Sequence, residues 1–125
     1  MKAWMVSAIA ALLLLAGSEL SVAQGNMTVQ LDRVLKSRSM SGIIGIKSNQ
    51  SAISEASIED CTPGWKNVIF STVSDAKGRF TLQNSKAKVH YLRLISRGFN
   101  ITLVKIQVTR WSWHKSLRLE MTLGT

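Results

Sequence analysis

A two-residue alternation of apolar and polar side chains runs along most of this chain, and helical periodicity is almost absent. The last segment is the cleanest case: Leu117, Leu119, Met121 and Leu123 alternate with Arg118, Glu120 and Thr122. Successive side chains of an extended strand point to opposite faces, so this segment has one apolar and one wetted face. Residues 101–108 repeat the pattern, with Val104, Ile106 and Val108 opposed to Lys105 and Gln107. Residues 89–96 are apolar on both faces, with Leu92 and Leu94 on one and Val89, Tyr91 and Ile95 on the other. That predicts a central strand covered on both sides. Shorter strands are expected at residues 41–47, 57–61, 67–74 and 79–83, while residues 28–35 read as an edge strand or an extended arm. Seven strands, eight with that arm, specify an all-β fold: a single antiparallel β-sandwich.

The strands begin only after an address segment. Residues 1–23 read as a cleaved secretory signal peptide. Lys2 supplies the positive start, Leu12 to Leu15 the apolar centre, and Ser21-Val22-Ala23 the small-residue cleavage site before Gln24. The apolar run is interrupted at Gly17-Ser18-Glu19 and falls short of the roughly 20 residues of a membrane span. No stable membrane span is therefore expected after cleavage, and the expected location is secreted or periplasmic, in a bacterial envelope.

Composition narrows the class further. Hydrophobic residues make up 46% of the chain and charged residues 18%, which excludes a disordered polyampholyte. The lone Cys61 excludes a disulfide scaffold and a cysteine metal finger. Outside the cytoplasm it is either buried and inert or used in an intermolecular bridge. Net charge is +9, and loss of residues 1–23 removes one base and one acid, leaving 15 − 6 = +9. Residues 24–76 balance five bases against five acids, whereas residues 77–125 set ten bases against Glu120 alone.

Asp75-Ala76-Lys77-Gly78 is a turn signal between two strands, with Asp at its first position and a Gly suited to a left-handed conformation. Asp75-x-x-Gly78-x-Phe80 is followed by Tyr91-Leu92-Arg93-Leu94, by Gly98-Phe99 and by the alternating terminal strand. In that order the segments resemble the carboxypeptidase regulatory-like domain, a transthyretin-like (immunoglobulin-like) β-sandwich of secreted and envelope bacterial proteins. Gly42-Ile43-Ile44 and Ala56-Ser57-Ile58 stand where that family has its first and second strands. The resemblance covers residues 41–123 and places the domain at 41–125, with 24–40 as an N-terminal arm or edge strand. It departs at Ser51-Ala52-Ile53, where the family often has Gly-x-Pro, and at Trp111-Ser112-Trp113-His114, which matches no family pattern. In this reading Asp75, Gly78, Phe80, Gly98 and Phe99 are architectural: each glycine reverses the chain, and each phenylalanine then returns to the core. The resemblance implies a non-catalytic accessory or interaction module.

No catalytic, cofactor or metal site is expected. His90 and His114 lie twenty-four residues apart with no carboxylate near either in sequence, and three zinc ligands cannot be assembled. Transthyretin-related hydrolases carry a characteristic C-terminal tetrapeptide that Met121-Thr122-Leu123-Gly124-Thr125 lacks, so that enzyme is the weakest reading. The expected ligand-binding residues are Arg110, Trp111, Trp113, His114 and Lys115. In an extended loop the two indoles share a face and could stack on a sugar ring, making a carbohydrate-binding module the main alternative. Against this, one Trp would close the open end of the sandwich and the other would be half-buried. Trp65, after Pro63-Gly64, is expected to cap the core. The basic half points to an anionic envelope polysaccharide or an acidic protein as partner. Nucleic acid is not expected, since there is neither a phosphate cradle nor a recognition helix.

Overall fold

The computed structural model describes residues 27–83 and 87–124, so the expected signal peptide lies outside the described residues. Within them are nine strands and no helix: β1 (Thr28–Gln30), β2 (Leu35–Ser37), β3 (Ser41–Ile46), β4 (Ser57–Cys61), β5 (Val68–Val73), β6 (Arg79–Thr81), β7 (Val89–Ile95), β8 (Ile101–Val108) and β9 (Leu117–Met121). Each segment with two-residue alternation forms a strand. The larger sheet has the order β1-β8-β7-β4-β5, with β2 also on β8, and the smaller has the order β6-β3-β9.

The inward positions of both sheets meet in one core. Ile58, Leu92, Leu94, Val104 and Ile106 come from the larger sheet; Ile44, Phe80, Leu117, Leu119 and Met121 come from the smaller. All ten are at most 4% exposed. The arrangement is that of a β-sandwich.

Three strand pairs differ from the antiparallel expectation. Both β1 and β2 run parallel to β8, with Thr28 opposite Ile101 and Leu35 opposite Ile106. Likewise β3 runs parallel to β9, with Gly42 opposite Leu117. Alternation fixes which face of a strand is buried, but it carries no information about the direction of the neighbour. The expected arm is a broken edge strand lying end to end along β8. Ser37 (0% exposed) and Met40 (2%) are buried, so the core begins before residue 41.

Strand β7 is central, between β8 and β4, but only its inner face is fully covered. On its outer face Tyr91 meets Trp65 edge to face, with ring centroids 5.3 Å apart. Trp65 thus covers the outside of the sheet instead of capping the core, and its indole N–H donates to the Leu92 carbonyl at 3.0 Å. The turn after Pro63-Gly64, with Trp65 at φ 56°, carries the ring to that side.

The two architectural turns form as expected. Asp75 Oδ1 accepts from the Lys77 and Arg79 N–H groups, both at 2.9 Å, and Gly78 N–H closes the turn onto the Asp75 carbonyl. Gly78 adopts φ 76°, and a Cβ there would lie 2.5 Å from the Ile44 carbonyl oxygen. Both the left-handed backbone and the close approach of β3 require glycine. At the second turn Phe99 N–H donates to the Ser96 carbonyl at 3.1 Å. Phe80 is buried after its turn, whereas Phe99 only packs half-buried against the core rim.

Candidate functional site

The β8–β9 connection carries the densest set of aromatic and basic side chains in the sequence. It is tied down at both ends to residues 37–39. Thr109 N–H donates to the Ser37 carbonyl at 2.9 Å, Arg38 N–H to the His114 carbonyl at 2.9 Å, and Ser39 Oγ to the Lys115 carbonyl at 2.7 Å. Inside the loop, Ser112 N–H bonds the Thr109 carbonyl, and His114 N–H bonds Ser112 Oγ. The backbone groups are thereby occupied and the indoles are left outside. Trp111 is 84% and Trp113 96% exposed. Neither closes the sandwich nor is half-buried; Met40 and Leu117, next to the tied segments, are buried there instead.

Both indoles line one open cleft of about 790 Å³. The linker between β1 and β2, together with β2, forms one wall, bringing in Arg33 and Lys36, and β9 brings in Arg118 and Glu120. His114 also lines it; Arg110 and Lys115 do not. Arg110 lies over the Trp111 ring with its guanidinium carbon 5.7 Å from the centroid, a cation–π contact. Lys115 is exposed outside the cleft. Sequence reasoning thus found three of the lining groups and missed Arg33 and Lys36. Those two reach the cleft only because β2 pairs with the C-terminal half of β8.

The cleft is electropositive. Arg33, Lys36 and Arg118 stand against one acid, and that acid is already engaged: Glu120 Oε2 accepts from Gln50 Nε2 at 2.7 Å. Gln50 Oε1 in turn accepts from Arg118 Nε at 2.8 Å. Among the described residues, Arg33 and Lys36 have no carboxylate within ion-pair distance. Exposed indole faces beside uncompensated cations suit a ligand that combines sugar-like rings with negative charge.

A second constellation is assembled only by strand pairing. His90 Nδ1 lies 2.7 Å from Asp60 Oδ2, thirty residues away in the chain, with both side chains at most 3% exposed. The antiparallel β4–β7 register sets Asp60 opposite Leu92, so His90 stands one inward position along the same face. The Nε2 atom of His90 has no hydrogen-bond partner among the described residues. The available signal was a polar residue in the inward phase of each strand: His90 in phase with Leu92 and Leu94, Asp60 in phase with Ile58. Neither borders the cleft. Cys61 is buried beside Asp60, and burial pushes its thiol pKa up, which disfavours the reactive thiolate. Among the described residues no group of three metal-ligating side chains forms, and no helix is long and apolar enough to cross a membrane. Neither a protein-family model nor a curated protein matches this sequence.

Proposed function

We propose that this chain is a secreted or periplasmic, non-catalytic interaction module of the carboxypeptidase regulatory-like, transthyretin-like type, and that it binds an acidic polysaccharide of the envelope. The observation that carries the reading is the exposure of Trp111 and Trp113 along one cleft that also holds Arg33, Lys36 and Arg118. Indoles in soluble proteins are usually buried for most of their area. Two in succession facing solvent, on a loop whose backbone is tied down, make a stacking platform whose ordering cost is met by the fold and not by the ligand. The division of β3 to β9 between facing sheets of three and four strands is compatible with the sandwich that this reading requires. Burial of His90 away from the cleft supports binding over hydrolysis.

The test is a tryptophan fluorescence titration of the purified protein with an acidic polysaccharide and with a neutral glucan. The acidic polymer should shift the emission, and raising salt from about 0.05 to 0.5 M should weaken its binding, since exposed charges are screened beyond about 10 Å at 0.1 M. Trp113→Ala should weaken it by roughly 5- to 150-fold, from about 1–3 kcal/mol per stacked ring, with little salt dependence. An acidic polymer that binds the wild type and Trp113→Ala equally would remove the cleft from the function.

A further inference from the structure

A sheet edge exposes unpaired N–H and C=O groups, and soluble proteins normally blunt it with charge, proline, brevity or cover. Among the described residues, three of the four edges follow that practice. The β1–β2 edge is broken at residues 31–34 and carries Asp32, Arg33 and Lys36. Strand β6 is three residues long and includes Arg79, and β9 presents Arg118 and Glu120. The exception is β5. Its six residues, Val-Ile-Phe-Ser-Thr-Val, contain no charge, proline or glycine, and Val68, Ile69 and Val73 are 45%, 53% and 59% exposed. The register shift against β4 falls at Ile69, yet that bulge leaves the isoleucine side chain in solvent.

We propose that a second copy of this chain pairs antiparallel along β5, about a two-fold axis through Ser71, joining the two larger sheets into one. Symmetry narrows the register, and the exposed apolar residues choose within it. Directly opposed residues of an antiparallel pair share a face, so in a two-fold pair of identical strands their numbers must sum to an even value. Centring on Ser71 opposes the regular segment 70–72 to itself and brings each Val73 alongside the partner's Ile69 at the bulge. The two most exposed apolar residues of the strand are then neighbours across the seam, twice. The backbone agrees. Ser74 N–H donates to the Ala56 carbonyl, so by ladder alternation the groups of Thr72 and Phe70 face β4 and those of Ser71 and Val73 face the open edge.

Charge permits the contact. Around β4 and β5 the exposed charges nearly cancel: Glu59 is paired with Arg93 and Asp75 with Arg79, Asp60 is buried against His90, and Lys66 stands against Glu55, although the chain as a whole is at +9. The β4–β5 side is thus the part of the molecule where two copies repel least.

Sedimentation velocity of the purified protein across a concentration series tests the proposal, with Val73→Lys and Ser71→Pro as variants. Both residues face the open edge, so neither substitution removes a β4 hydrogen bond, and circular dichroism should be unchanged. The expected result is a doubling of mass with concentration that both variants abolish. In a Cys61→Ala background, Ser71→Cys should cross-link to a covalent dimer under mild oxidation, because a hydrogen-bonded antiparallel pair sets Cα atoms about 5.5 Å apart. Ser116→Cys, exposed elsewhere, should not. A wild type that stays monomeric up to about 1 mM, the weak limit of specific association, would overturn the proposal. So would a dimer that survives Val73→Lys, or one held by a different, foreign extended peptide on β5.

Discussion

Gly78 and Gly98 both sit in the left-handed region, at φ 76° and φ 86°, but their surroundings differ. A Cβ on Gly98 would meet nothing within 4 Å, whereas one on Gly78 would lie 2.5 Å from the Ile44 carbonyl oxygen and 3.2 Å from Ala52 Cβ. Gly98→Ala should therefore cost only the left-handed conformation, about 1–2 kcal/mol. Gly78→Ala adds the displacement of β3, whose Ile44 N–H is itself bonded to the Gly78 carbonyl at 2.8 Å. Overpacking of that kind costs about 1–3 kcal/mol, giving a total of about 2–5 kcal/mol. With a urea m-value of roughly 1.5 kcal/mol/M for so small a domain, the Gly78→Ala midpoint should fall by about 1–3 M and that of Gly98→Ala by about 1 M. Asparagine separates the two causes, because it tolerates the left-handed region while keeping a Cβ. Gly98→Asn should recover most of the loss, and Gly78→Asn should not. Equal midpoints for the two alanine variants, or a Gly78→Asn protein as stable as wild type, would refute the close-approach argument.

Phe80→Ala should destabilise by about 3–5 kcal/mol in the same urea assay, and Phe99→Ala by clearly less, since only Phe80 is fully buried. Asp60→Ala should cost at least about 1–3 kcal/mol, because it leaves the His90 ring buried with no partner on either nitrogen; no measurable loss would show that the pair is dispensable. The Arg79 backbone N–H, opposed next by desolvation and helped by the Lys77 N–H and the Arg79 side chain, holds the Asp75 carboxyl below the ordinary carboxylate range. A depressed folded pKa stabilises above the unfolded value near 4 and loses that stability as pH falls through the folded value, so Asp75→Asn should flatten the acid limb of stability against pH below about 5. Native Cys61 should react with a thiol reagent at pH 8 far more slowly than in 6 M guanidinium, and equal rates would contradict its burial.

The strands were legible because each needs only local information, namely which residues alternate and where a turn intervenes. Ser57–Cys61 and Ile101–Val108 coincide with their expected bounds, and the Asp75–Gly78 turn carries its own chemistry in four residues. The aromatic half of the cleft was legible for the same reason, since Trp111, Trp113 and His114 are neighbours in sequence. Arg33 and Lys36 were not, because they join that loop through a parallel pairing to β8 that no periodicity encodes. The Asp60–His90 contact is a property of the β4–β7 register alone. Trp65 was misplaced because an aromatic after Pro-Gly can turn to either side of a sheet, and the Tyr91 ring that draws it outward lies on β7.

The parallel seam between β3 and β9 also governs the order in which this protein can come into being. Gly42 pairs with Leu117 and Ile46 with Met121, contacts that span about three-fifths of the chain. Contacts of such long range slow folding, because their closure entropy must be met before they return any stabilisation. A chain emerging from its N-terminus has β6 to set against one edge of β3, but the other edge stays bare until residues 117–121 are out. Leu117, Leu119 and Met121, which fill the core from that strand, arrive together at the end. Nascent chains should therefore remain protease-sensitive until β9 is complete, then close in one late step.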